Sequence, residues 1–555
     1  MISVIMCADE QAGPFDAPAP GQLPAPGHQA RERARRGLER AREREAGRAE
    51  IAGTAARAEP LHVFICCKRG DVYAQDIIAR LAPALGPAYQ VVYDDAAVTS
   101  LPWAGQLSAE LSEADVVIAI LSRGSVDSEM VELELRTARD RAATARVVVV
   151  RLPSGDPLPY PLRRYVEDAE HVFYTGDEQR LLGDIRSALG GDGSGTQERS
   201  PADPSSSGAG ASQPPRPLPW ADPEPPEGPS APESSFYVER AADGEALKAI
   251  RRQRVTMTIK GPCQTGKSSL LGRVVAEARA CGKQVVPIDF QLFDQQTLTD
   301  GELFFKSFCE MVDRQLGIES QVAKYWGDMG NTYSCRRYFE RYLLPQLDRT
   351  LVLALDKVDR IPHEDLRGDF FGMLRTWHND RASKPIFARL DLVLVTATEP
   401  ARLIDKPNRS PFNVGTIVPL TDLTPAEVAR LNQLHGQPFD PALAQALIAL
   451  LGGRPFLVRR ALYLAATGRR SPEQILAHAY DDDGPFGDHL RYHLFKLHNQ
   501  PNLIRELRRI IRRGADFNEQ THHELYSAGL VRREGKRVLP CCQLYAVYFE
   551  KHLSQ

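Results

Sequence analysis

The sequence predicts an α/β protein with two parallel-sheet units and a helical segment toward the C-terminal end. Short apolar runs alternate with helical patterns over residues 61–189 and again over residues 235–470. A glycine-rich turn at residues 261–268 lies between a β-prone run and a helical run. Because apolar strands separated by helices are typical of sheets buried on both faces, each unit is expected to be a parallel sheet covered by helices.

The composition is that of a globular protein with several domains. A chain of 555 residues is long enough for about three domains. Hydrophobic residues make up 43% of the chain and charged residues 25%, which are ordinary values for proteins with buried cores. The formal net charge of −3 gives no reason to expect general binding to nucleic acid or to acidic membranes.

The cysteines and the first residues predict a cytoplasmic protein. The nine cysteines include the adjacent pairs Cys66–Cys67 and Cys541–Cys542 but no CxxC spacing, so reduced thiols are expected and a metal site is not. Met1–Cys7 lacks the basic region of a signal peptide. No run of about 18 apolar residues occurs, so we expect neither a transmembrane span nor a membrane partner.

The first 59 residues are predicted to form a poorly ordered, charged arm. Ala, Pro and Gly dominate as far as Gly27, and Arg31–Glu50 carries eight Arg and five Glu. Glu and Arg at i,i+4 spacing favour a helix there, but that helix has no apolar face to bury. A solvated helix or tail is expected, and a partner-binding arm is the alternative.

Residues 61–189 are predicted to form a small doubly wound domain. Its predicted strands are Leu61–Cys66, Gln90–Tyr93, Ala114–Leu121, Val147–Val150 and His171–Tyr174. Its predicted helices are Val72–Leu85, Trp103–Leu111, Val131–Ala142 and Gln179–Leu189.

A linker over residues 190–233 is predicted to separate this domain from the next. Eleven prolines fall between Pro201 and Pro232, and such a segment cannot bury a core. The second domain is predicted over residues 235–470. Its predicted strands are Val255–Lys260, Gln284–Phe290, Leu351–Asp356, Leu390–Ala397 and Gly415–Leu420.

The glycine-rich turn has the residues of a phosphate-binding loop. Gly261 and Gly266 allow the backbone to curl, Lys267 can reach the β- and γ-phosphates, and the Ser268 hydroxyl can ligate Mg²⁺. The turn follows a strand and opens a helix, whose N-terminal amides favour phosphate. The candidate nucleotide-binding residues here are Gly261, Pro262, Cys263, Gln264, Thr265, Gly266, Lys267, Ser268 and Ser269.

A second predicted strand ends in a carboxylate that can complete the nucleotide site. Asp356 is expected at the carboxyl edge of the sheet, where it can bind Mg²⁺. Lys357 follows it and cannot act as a base while charged, so slow or absent ATP hydrolysis is expected. Asp359 is the candidate to activate water instead. Thr396 and Thr398 end the next strand, where a hydroxyl could contact the γ-phosphate or could simply reflect strand propensity.

The second domain resembles the AAA-like ATPases of the STAND signalling class. The resemblance follows the order of the motifs Ser235–Arg240, Gly261–Ser268, Asp356–Asp359, Thr398–Pro400, Asn408–Gly415 and Gly452–Val458. It implies ATP or ADP binding with Mg²⁺, a helical lid, and a nucleotide-controlled change from closed monomer to open homo-oligomer. It also implies that Pro455 packs near the adenine and that Tyr237 and Arg240 line the base side.

The last segment, residues 484–555, is predicted to be a winged-helix unit. Helical patterns precede two short β-prone runs that flank Gly535. Gly529–Val531 and Cys542–Phe549 resemble the winged-helix end of the same family. Five arginines lie at helical spacing in this segment, which keeps DNA binding open as an alternative function. These are Arg505, Arg508, Arg509, Arg512 and Arg513.

The first domain resembles TIR domains, which have a flavodoxin-like fold. The resemblance covers Val63–Asp71, Trp103, Ala114–Ser122 and Ser128–Leu135, although Cys66–Cys67 and Met130 depart from the usual pattern. TIR domains recruit partners or cleave NAD at the nicotinamide bond. The resemblance implies that Glu134 is the glutamate that stabilises positive charge on the ribose in the cleaving kind.

An ordinary surface charge is the alternative interpretation of Glu134, and Glu129 and Glu132 are expected to be such charges. A carboxylate in a dry cleft suits an oxocarbenium-like transition state, which favours the catalytic interpretation.

The sequence therefore predicts a cytoplasmic signalling or defence switch. The ATPase domain would hold ADP at rest, exchange it for ATP on an unidentified trigger, oligomerise, and bring TIR domains into contact to hydrolyse NAD. The first alternative is a non-enzymatic TIR adaptor controlled by ATP binding. The second is a DNA-binding winged-helix ATPase, which the average charge of the chain does not favour.

Overall fold

The computed structural model describes residues 60–553 except 95–98, 123, 126–127, 140–144, 154–159, 168, 191–222, 227, 295, 328, 405–408 and 517–518. The predicted arm 1–59 and most of the predicted linker 190–233 lie outside the described residues. The described residues form two five-stranded parallel sheets surrounded by helices, followed by a small antiparallel sheet. The predicted α/β fold class is therefore confirmed.

The first sheet is a doubly wound parallel sheet. Its strands are β1 (Leu61–Cys66), β2 (Tyr89–Tyr93), β3 (Val116–Leu121), β4 (Arg146–Arg151) and β5 (Glu170–Phe173). Its helices are α1 (Val72–Leu85), α2 (Leu101–Glu113), α3 (Glu129–Arg139), α4 (Tyr160–Val166) and α5 (Glu178–Gly190). The sequence prediction omitted α4. The strand order β2-β1-β3-β4-β5 places the switch point of the topology between β1 and β3, at whose carboxyl ends ligands bind in such folds.

The second sheet carries the glycine-rich turn. Its strands are β6 (Thr256–Lys260), β7 (Gln284–Asp289), β8 (Leu351–Asp356), β9 (Leu390–Thr396) and β10 (Thr416–Pro419), in the order β10-β6-β9-β8-β7. Its helices are α6 (Ala241–Ile250), α7 (Lys267–Ala280), α8 (Gly301–Leu316), α9 (Val322–Tyr325), α10 (Asn331–Tyr338), α11 (Leu344–Gln346), α12 (Glu364–Asp380) and α13 (Pro400–Leu403). Strands β8 and β9 are buried along their whole length, which explains their unbroken apolar pattern.

Helices dominate the chain beyond the second sheet. They are α14 (Pro425–Leu434), α15 (Pro441–Leu451), α16 (Pro455–Ala466), α17 (Pro472–Ala477), α18 (Gly487–Leu497), α19 (Pro501–Arg513), α20 (Glu519–Ser527) and α21 (Gln543–His552). Strands β11 (Ala515–Asp516), β12 (Val531–Glu534) and β13 (Arg537–Pro540) form the antiparallel sheet. The hairpin expected around Gly535 is present, with a positive φ of 60° at that glycine. The winged-helix assignment stays a prediction.

The first sheet shares a hydrophobic core with the C-terminal helices. Trp103 of α2 and Leu133 of α3 belong to the same buried cluster as Leu490 and Leu494 of α18 and Tyr545 of α21. The opposite face of the sheet, under α1 and α5, forms a separate cluster. Helices α2 and α3 are therefore packed against α18 rather than against solvent.

A buried ion pair ties the edge of the second sheet together. Lys283 Nζ lies 2.6 Å from Asp391 Oδ2, and the two side chains are 6% and 0% exposed. The same ammonium donates to the carbonyl oxygen of Ile250 at 2.6 Å, and the Val255 amide donates to Asp391 Oδ1 at 2.6 Å. The charge of the buried Lys283 ammonium is thus balanced by Asp391, and the surrounding backbone groups complete the hydrogen bonds of both side chains.

We predict that Asp391→Ala lowers the free energy of unfolding by about 3–5 kcal/mol, because it leaves the Lys283 ammonium buried without its counter-charge. Chemical denaturation of the full chain measures the change. Asp76→Ala removes a solvent-exposed partner of Arg80 and should cost less than about 1 kcal/mol. Equal losses in the two variants would contradict a special role for the buried pair.

Candidate functional site: a phosphate-binding loop in contact with the first sheet

The glycine-rich turn leaves β6 and enters α7 in a conformation that only certain residues allow. Gly266 has a φ of 89° at the helix start, and Gln264 has a φ of 63°. A Cβ atom on Gly261 would lie 2.5 Å from the carbonyl oxygen of Leu420. Backbone crowding therefore requires glycine at position 261, and the positive φ favours it at position 266.

The first residues of α7 place a cation and a hydroxyl at the loop. Lys267 Nζ donates to the carbonyl oxygen of Pro262 at 2.7 Å. Burial lowers the pKa of Lys267, although nearby Cys263, Asp359 and Asp356 oppose the shift. The N-terminus of α7 favours negative charge at the loop. An anionic ligand bound there would stabilise the charged form of Lys267.

Ser268 and Asp356 form a fitting pair of ligands for Mg²⁺. The Ser268 hydroxyl donates to Asp356 Oδ2 at 2.7 Å, whereas Asp356 Oδ1 is buried and has no hydrogen-bond partner within the described part of the chain. Burial raises the pKa of Asp356, and the Ser268 hydrogen bond opposes that shift. A hydroxyl oxygen beside a carboxylate oxygen that accepts no hydrogen bond is the set of protein ligands that a magnesium–phosphate complex uses.

Lys357 is paired with residues at and just beyond the end of β7. It adopts a left-handed conformation with a φ of 57°. Its Nζ donates to Asp289 Oδ2 at 3.0 Å and to Gln291 Oε1 at 2.6 Å. The ion pair offsets its positive charge, and the lysine offers no lone pair to activate water.

Asp359, the candidate to activate water, already accepts several hydrogen bonds. The amides of Ala397 and Thr398 each donate to its Oδ2 at 3.2 Å, and the Thr398 hydroxyl donates at 3.1 Å. The Thr396 hydroxyl donates to the carbonyl oxygen of Thr398 at 2.9 Å. In this arrangement both threonine hydroxyls and one carboxylate oxygen hold the end of β9 together. Asp359 also lines the cavity described below, and its role in activating water stays a prediction.

A cavity of 1340 Å³ adjoins the loop and is large enough for a nucleotide. The lining includes loop residues 263–269, Asp356 and Asp359, together with Tyr237, Arg240 and Pro455. Arg240 Nη1 donates to the carbonyl oxygen of Thr265 at 2.8 Å, and Arg273 lies 4.6 Å from the centre of the Tyr237 ring. The residues expected to line the base side therefore border one cavity with the loop, and their contact with adenine stays a prediction.

Arg454 is a site residue that the sequence analysis did not single out. Its side chain is 2% exposed and its guanidinium donates to the Cys263 carbonyl at 2.7 Å and to Asp422 Oδ1 at 3.0 Å. It thus fixes the loop to the start of α16. Its position beside Pro455, within the motif Gly452–Val458, was the sequence signal that could have identified Arg454 as a site residue. Its contact with the loop, however, is formed only in the folded chain.

The C-terminal helices also contact the loop. The Cys263 amide donates to the carbonyl oxygen of Ser527, the last residue of α20, at 2.9 Å. The Glu399 amide, beyond β9, donates to Nε2 of His523 at 3.1 Å. The loop is therefore held from two sides, by α16 and by α20.

Glu134 lies on α3, which packs against α18, and 3% of its surface is exposed. Its Oε2 is buried and has no hydrogen-bond partner among the residues that the structure describes. Burial raises the pKa of Glu134 well above its usual value, and the charges of Asp94 and Asp488 add to the shift, whereas Arg491 and the Cys66 thiol oppose it. The alternative interpretation of Glu134 as an exposed surface charge does not hold in this arrangement. We call the arrangement in which α3 packs against α18 the docked arrangement.

Asp488 of α18 binds the N-terminus of α3. Its Oδ1 accepts a hydrogen bond from the Ser128 hydroxyl at 2.8 Å, and its Oδ2 accepts one from the Glu129 amide at 2.8 Å. Burial opposes ionisation of Asp488, but Lys68, Arg491 and Arg460 outweigh it and hold the pKa below its usual value. A charged carboxylate is favoured at a helix N-terminus, so this contact stabilises the docked position of α3.

Glu129 connects the phosphate-binding loop to α18. Gln264 Nε2 of the loop donates to Glu129 Oε1 at 2.7 Å, and Glu129 Oε2 lies 2.7 Å from His489 Nδ1. The Nε2 of His489 lies 2.7 Å from the Tyr545 hydroxyl. The expectation that Glu129 is a surface charge is wrong, because its side chain is 19% exposed and lies between two other elements.

The contact between Glu129 and His489 is neutral. Burial raises the pKa of Glu129 to about 8, with Asp488 adding to the shift, and Arg460 and Gln264 oppose it. Burial, with Arg460 and Arg454, lowers the pKa of His489 to about 3. At neutral pH the proton therefore resides on Glu129, which donates from Oε2 to Nδ1 of the imidazole. The His489 Nε2–H then donates to Tyr545.

The fold and these residues define a P-loop ATPase joined to a second parallel α/β domain. The family model of the AAA-like domain matches residues 225–551, more than half of the chain, so the chain belongs to the AAA-like family. The family model of the TIR domain matches residues 63–182, and the first sheet is the core of that domain. Both predicted resemblances are confirmed.

Individual relatives are more distant. An uncharacterized WD repeat-containing protein of Synechocystis is 28% identical over 242 residues, which are 41% of this chain and 20% of that protein. The chain therefore spans about a fifth of the length of that relative.

Two solved structures match this chain at low similarity. A Walker-type ATPase of Pyrococcus abyssi is 12% identical, with a TM-score of 0.39. The match covers 57% of this chain and 99% of the Pyrococcus abyssi chain. The AMPPCP-bound DnaA of Aquifex aeolicus is 14% identical with a TM-score of 0.28, and covers 50% of this chain and 81% of its own. No helix of the described residues has the length and apolar character needed to cross a membrane.

We predict that the titration of Glu129 lowers the stability of the chain by up to a few kcal/mol as the pH rises from about 5.5 to about 8.5. The pKa of Glu129 is about 8 in the folded chain and near 4.3 in an unfolded one, so its stabilising contribution is full below the lower value and is lost as the pH passes through 8. Denaturation at both pH values measures the loss.

Glu129→Gln is the matched variant for this test. The amide can still accept from Gln264 and donate to His489 but does not titrate, so this part of the pH dependence should disappear. The pKa of His489 is about 3 in the folded chain and near 6.5 in an unfolded one, so its burial adds a gain of stability with rising pH below about pH 7. That gain is common to the variant and the unmodified chain and cancels in their comparison. An identical pH dependence in Glu129→Gln and in the unmodified chain would show that Glu129 does not titrate in this range.

Proposed function

We propose that this chain is a nucleotide-controlled signalling or defence switch in which the state of the phosphate-binding loop decides whether the TIR domain stays docked. The pairing of a TIR domain with an AAA-like ATPase supports the general class. The observation that carries the proposal is the hydrogen bond from Gln264 of the loop to Glu129 of α3. One residue of the nucleotide site is thereby a direct partner of the TIR domain.

The nucleotide is ATP or ADP with Mg²⁺, whose phosphates supply the negative charge that the loop is built to bind. Lys267 would bind the β- and γ-phosphates, and Ser268 and Asp356 would hold the metal ion. Tyr237, Arg240, Thr398 and Pro455 would line the rest of the site. Hydrolysis is slow, because Lys357 is paired with Asp289 and Asp359 already accepts three hydrogen bonds.

The TIR domain cleaves NAD at the bond between ribose and nicotinamide, with Glu134 as the catalytic residue. An ionised carboxylate stabilises the positive charge that develops on the ribose as this bond breaks. In the docked arrangement Glu134 is buried, and burial favours its protonated form. The docked chain is therefore inactive for two reasons, access and charge.

Release of α3 from α18 removes both obstacles. Asp488, which contributes to the raised pKa of Glu134, would move away, and solvent would favour the ionised carboxylate. The released α2–α3 surface includes apolar residues such as Trp103 and Leu133, which are buried against the C-terminal helices when docked. Contacts between TIR domains in a homo-oligomer would cover that surface again and form the active state.

A non-enzymatic adaptor is the alternative within the same class. The same docked arrangement would then control only the availability of the α2–α3 surface for partner proteins. The two functions differ in whether Glu134 is needed after release. An assay of product and an assay of assembly separate them.

We predict that purified chain releases nicotinamide from NAD when ATP and Mg²⁺ are present at a protein concentration that allows assembly. Glu134→Gln should lower the rate by at least about a hundredfold, since the carboxylate stabilises charge in the transition state. Glu113→Gln, an exposed glutamate on α2, is the matched control and should leave it unchanged. Lys267→Ala should abolish the ATP dependence. If a confirmed oligomer released no nicotinamide, NAD cleavage would be contradicted and the non-enzymatic adaptor would be the function that remains.

We also predict that Asp488→Ala raises nicotinamide release in the absence of ATP. Loss of the carboxylate at the N-terminus of α3 should cost the docked state about 1–2 kcal/mol, which corresponds to roughly a tenfold larger undocked fraction. The double variant Asp488→Ala/Glu134→Gln should be inactive. An unchanged basal rate in a well-folded Asp488→Ala chain would contradict docking as the inhibitory contact.

A further inference from the structure

The C-terminal segment carries a strongly basic surface on a chain that is acidic overall. Helix α19 buries its apolar face, Ile504, Leu507 and Ile510, and has an exposed side of arginines. The β12–β13 hairpin adds further exposed cations. We define the C-terminal basic surface as Arg505, Arg509, Arg512, Arg513, Arg532, Arg533, Lys536 and Arg537.

The two parts of this surface adjoin one another. Helix α19 packs against β13, and Arg537 Nη2 lies 3.5 Å from the carbonyl oxygen of Arg513. A Cβ atom on Gly514 would lie 3.0 Å from the same guanidinium nitrogen, so the end of the helix and the hairpin are in direct contact. The cations therefore form one surface rather than two separate charge runs.

Few carboxylates in these two segments offset the charge. Within Pro501–Arg513 and Val531–Pro540 the acidic residues are Glu506, which pairs with Arg509, and Glu534, which pairs with Arg532. These two segments carry nine cations against two carboxylates, whereas the chain as a whole has a net charge of −3. A local field of this kind attracts polyanions even when the average charge of a protein does not.

We infer that the C-terminal basic surface binds the phosphate backbone of duplex nucleic acid. Arginine donates two parallel hydrogen bonds to a phosphate, and seven of the eight cations are arginine. Arg505 to Arg513 span about 12 Å along α19, a length over which a duplex presents several phosphates. The hairpin extends the contact beyond the helix end.

A membrane surface fits these residues less well. Helices that lie on membranes insert aromatic or large aliphatic side chains. The exposed large hydrophobic residues of the described chain include none within Pro501–Arg513 or Val531–Pro540, and the apolar face of α19 is occupied by the protein core. Only phosphate headgroup attraction would remain, which an assay with lipid vesicles can detect.

The position of the surface connects it to the phosphate-binding loop. Helix α20 lies between α19 and the hairpin in the chain, packs against α19, and contacts the loop through Ser527. Glu524 and Leu525 of the same helix line the cavity at the loop. A duplex on the basic surface would thus contact elements that are one helix away from the nucleotide. The binding itself does not depend on NAD cleavage.

Fluorescence anisotropy of the full chain with labelled mixed-sequence duplexes of about 30 bp, one of DNA and one of RNA, tests the inference. With about four phosphate contacts, affinity should fall roughly a hundredfold between about 50 and about 200 mM salt. The variant Arg505→Gln/Arg512→Gln/Lys536→Gln should bind at least about tenfold more weakly, and its slope of log affinity against log salt should be smaller by about 3.

The matched control is Arg279→Gln/Arg314→Gln/Arg341→Gln, which removes three exposed cations outside this surface. It should keep the affinity of the unmodified chain within about twofold, and thermal unfolding should show that both triple variants are folded. Binding of one duplex type alone would assign the source of the phosphates and support the inference. No duplex binding at about 50 mM salt, equal weakening in both triple variants, or binding to anionic vesicles alone would overturn it.

Discussion

The arrangement depends on the way α3 is held at its N-terminus. Asp488 supplies the charge that the helix end favours, and Glu129 joins α18 to the phosphate-binding loop through Gln264. These contacts place three functional elements within hydrogen-bond distance of one another. The buried core between α2, α3 and the C-terminal helices gives the docked position most of its stability, whereas the polar contacts fix its register and link it to the loop.

The loop is in turn held by residues far away in the sequence. Arg454 donates to the Cys263 carbonyl oxygen, and the Ser527 carbonyl oxygen accepts from the Cys263 amide. Both backbone polar groups of this loop residue are therefore bound by the C-terminal half of the chain. A change in the loop backbone would alter the contacts that the loop makes with α16, α20 and α3. The phosphate-binding loop is therefore the common partner of the start of α16, of α20 and of α3. Under the proposed function, one ligand at the loop would act on all three elements.

Much of the fold was predictable because parallel sheets leave a strong apolar pattern. All ten predicted strands are present, and the loop, Lys267, Ser268 and Asp356 meet as expected. The errors have a common cause. Glu129, Arg454 and Asp488 owe their roles to contacts over at least 135 residues of sequence separation, and no local pattern encodes such contacts. The polar helix surface around Glu129 gave the impression of solvent exposure because its partner, α18, comes from another part of the chain.

The most direct test of the central claim is amide hydrogen exchange across α3, measured on the full chain with ADP and with ATP plus Mg²⁺. The account predicts that exchange in α3 becomes at least about tenfold faster with ATP than with ADP, because the loop gives up its hold on Glu129. Lys267→Ala should show no such difference. Equal protection of α3 in both nucleotide states, with nucleotide binding verified on the same sample, would contradict the account.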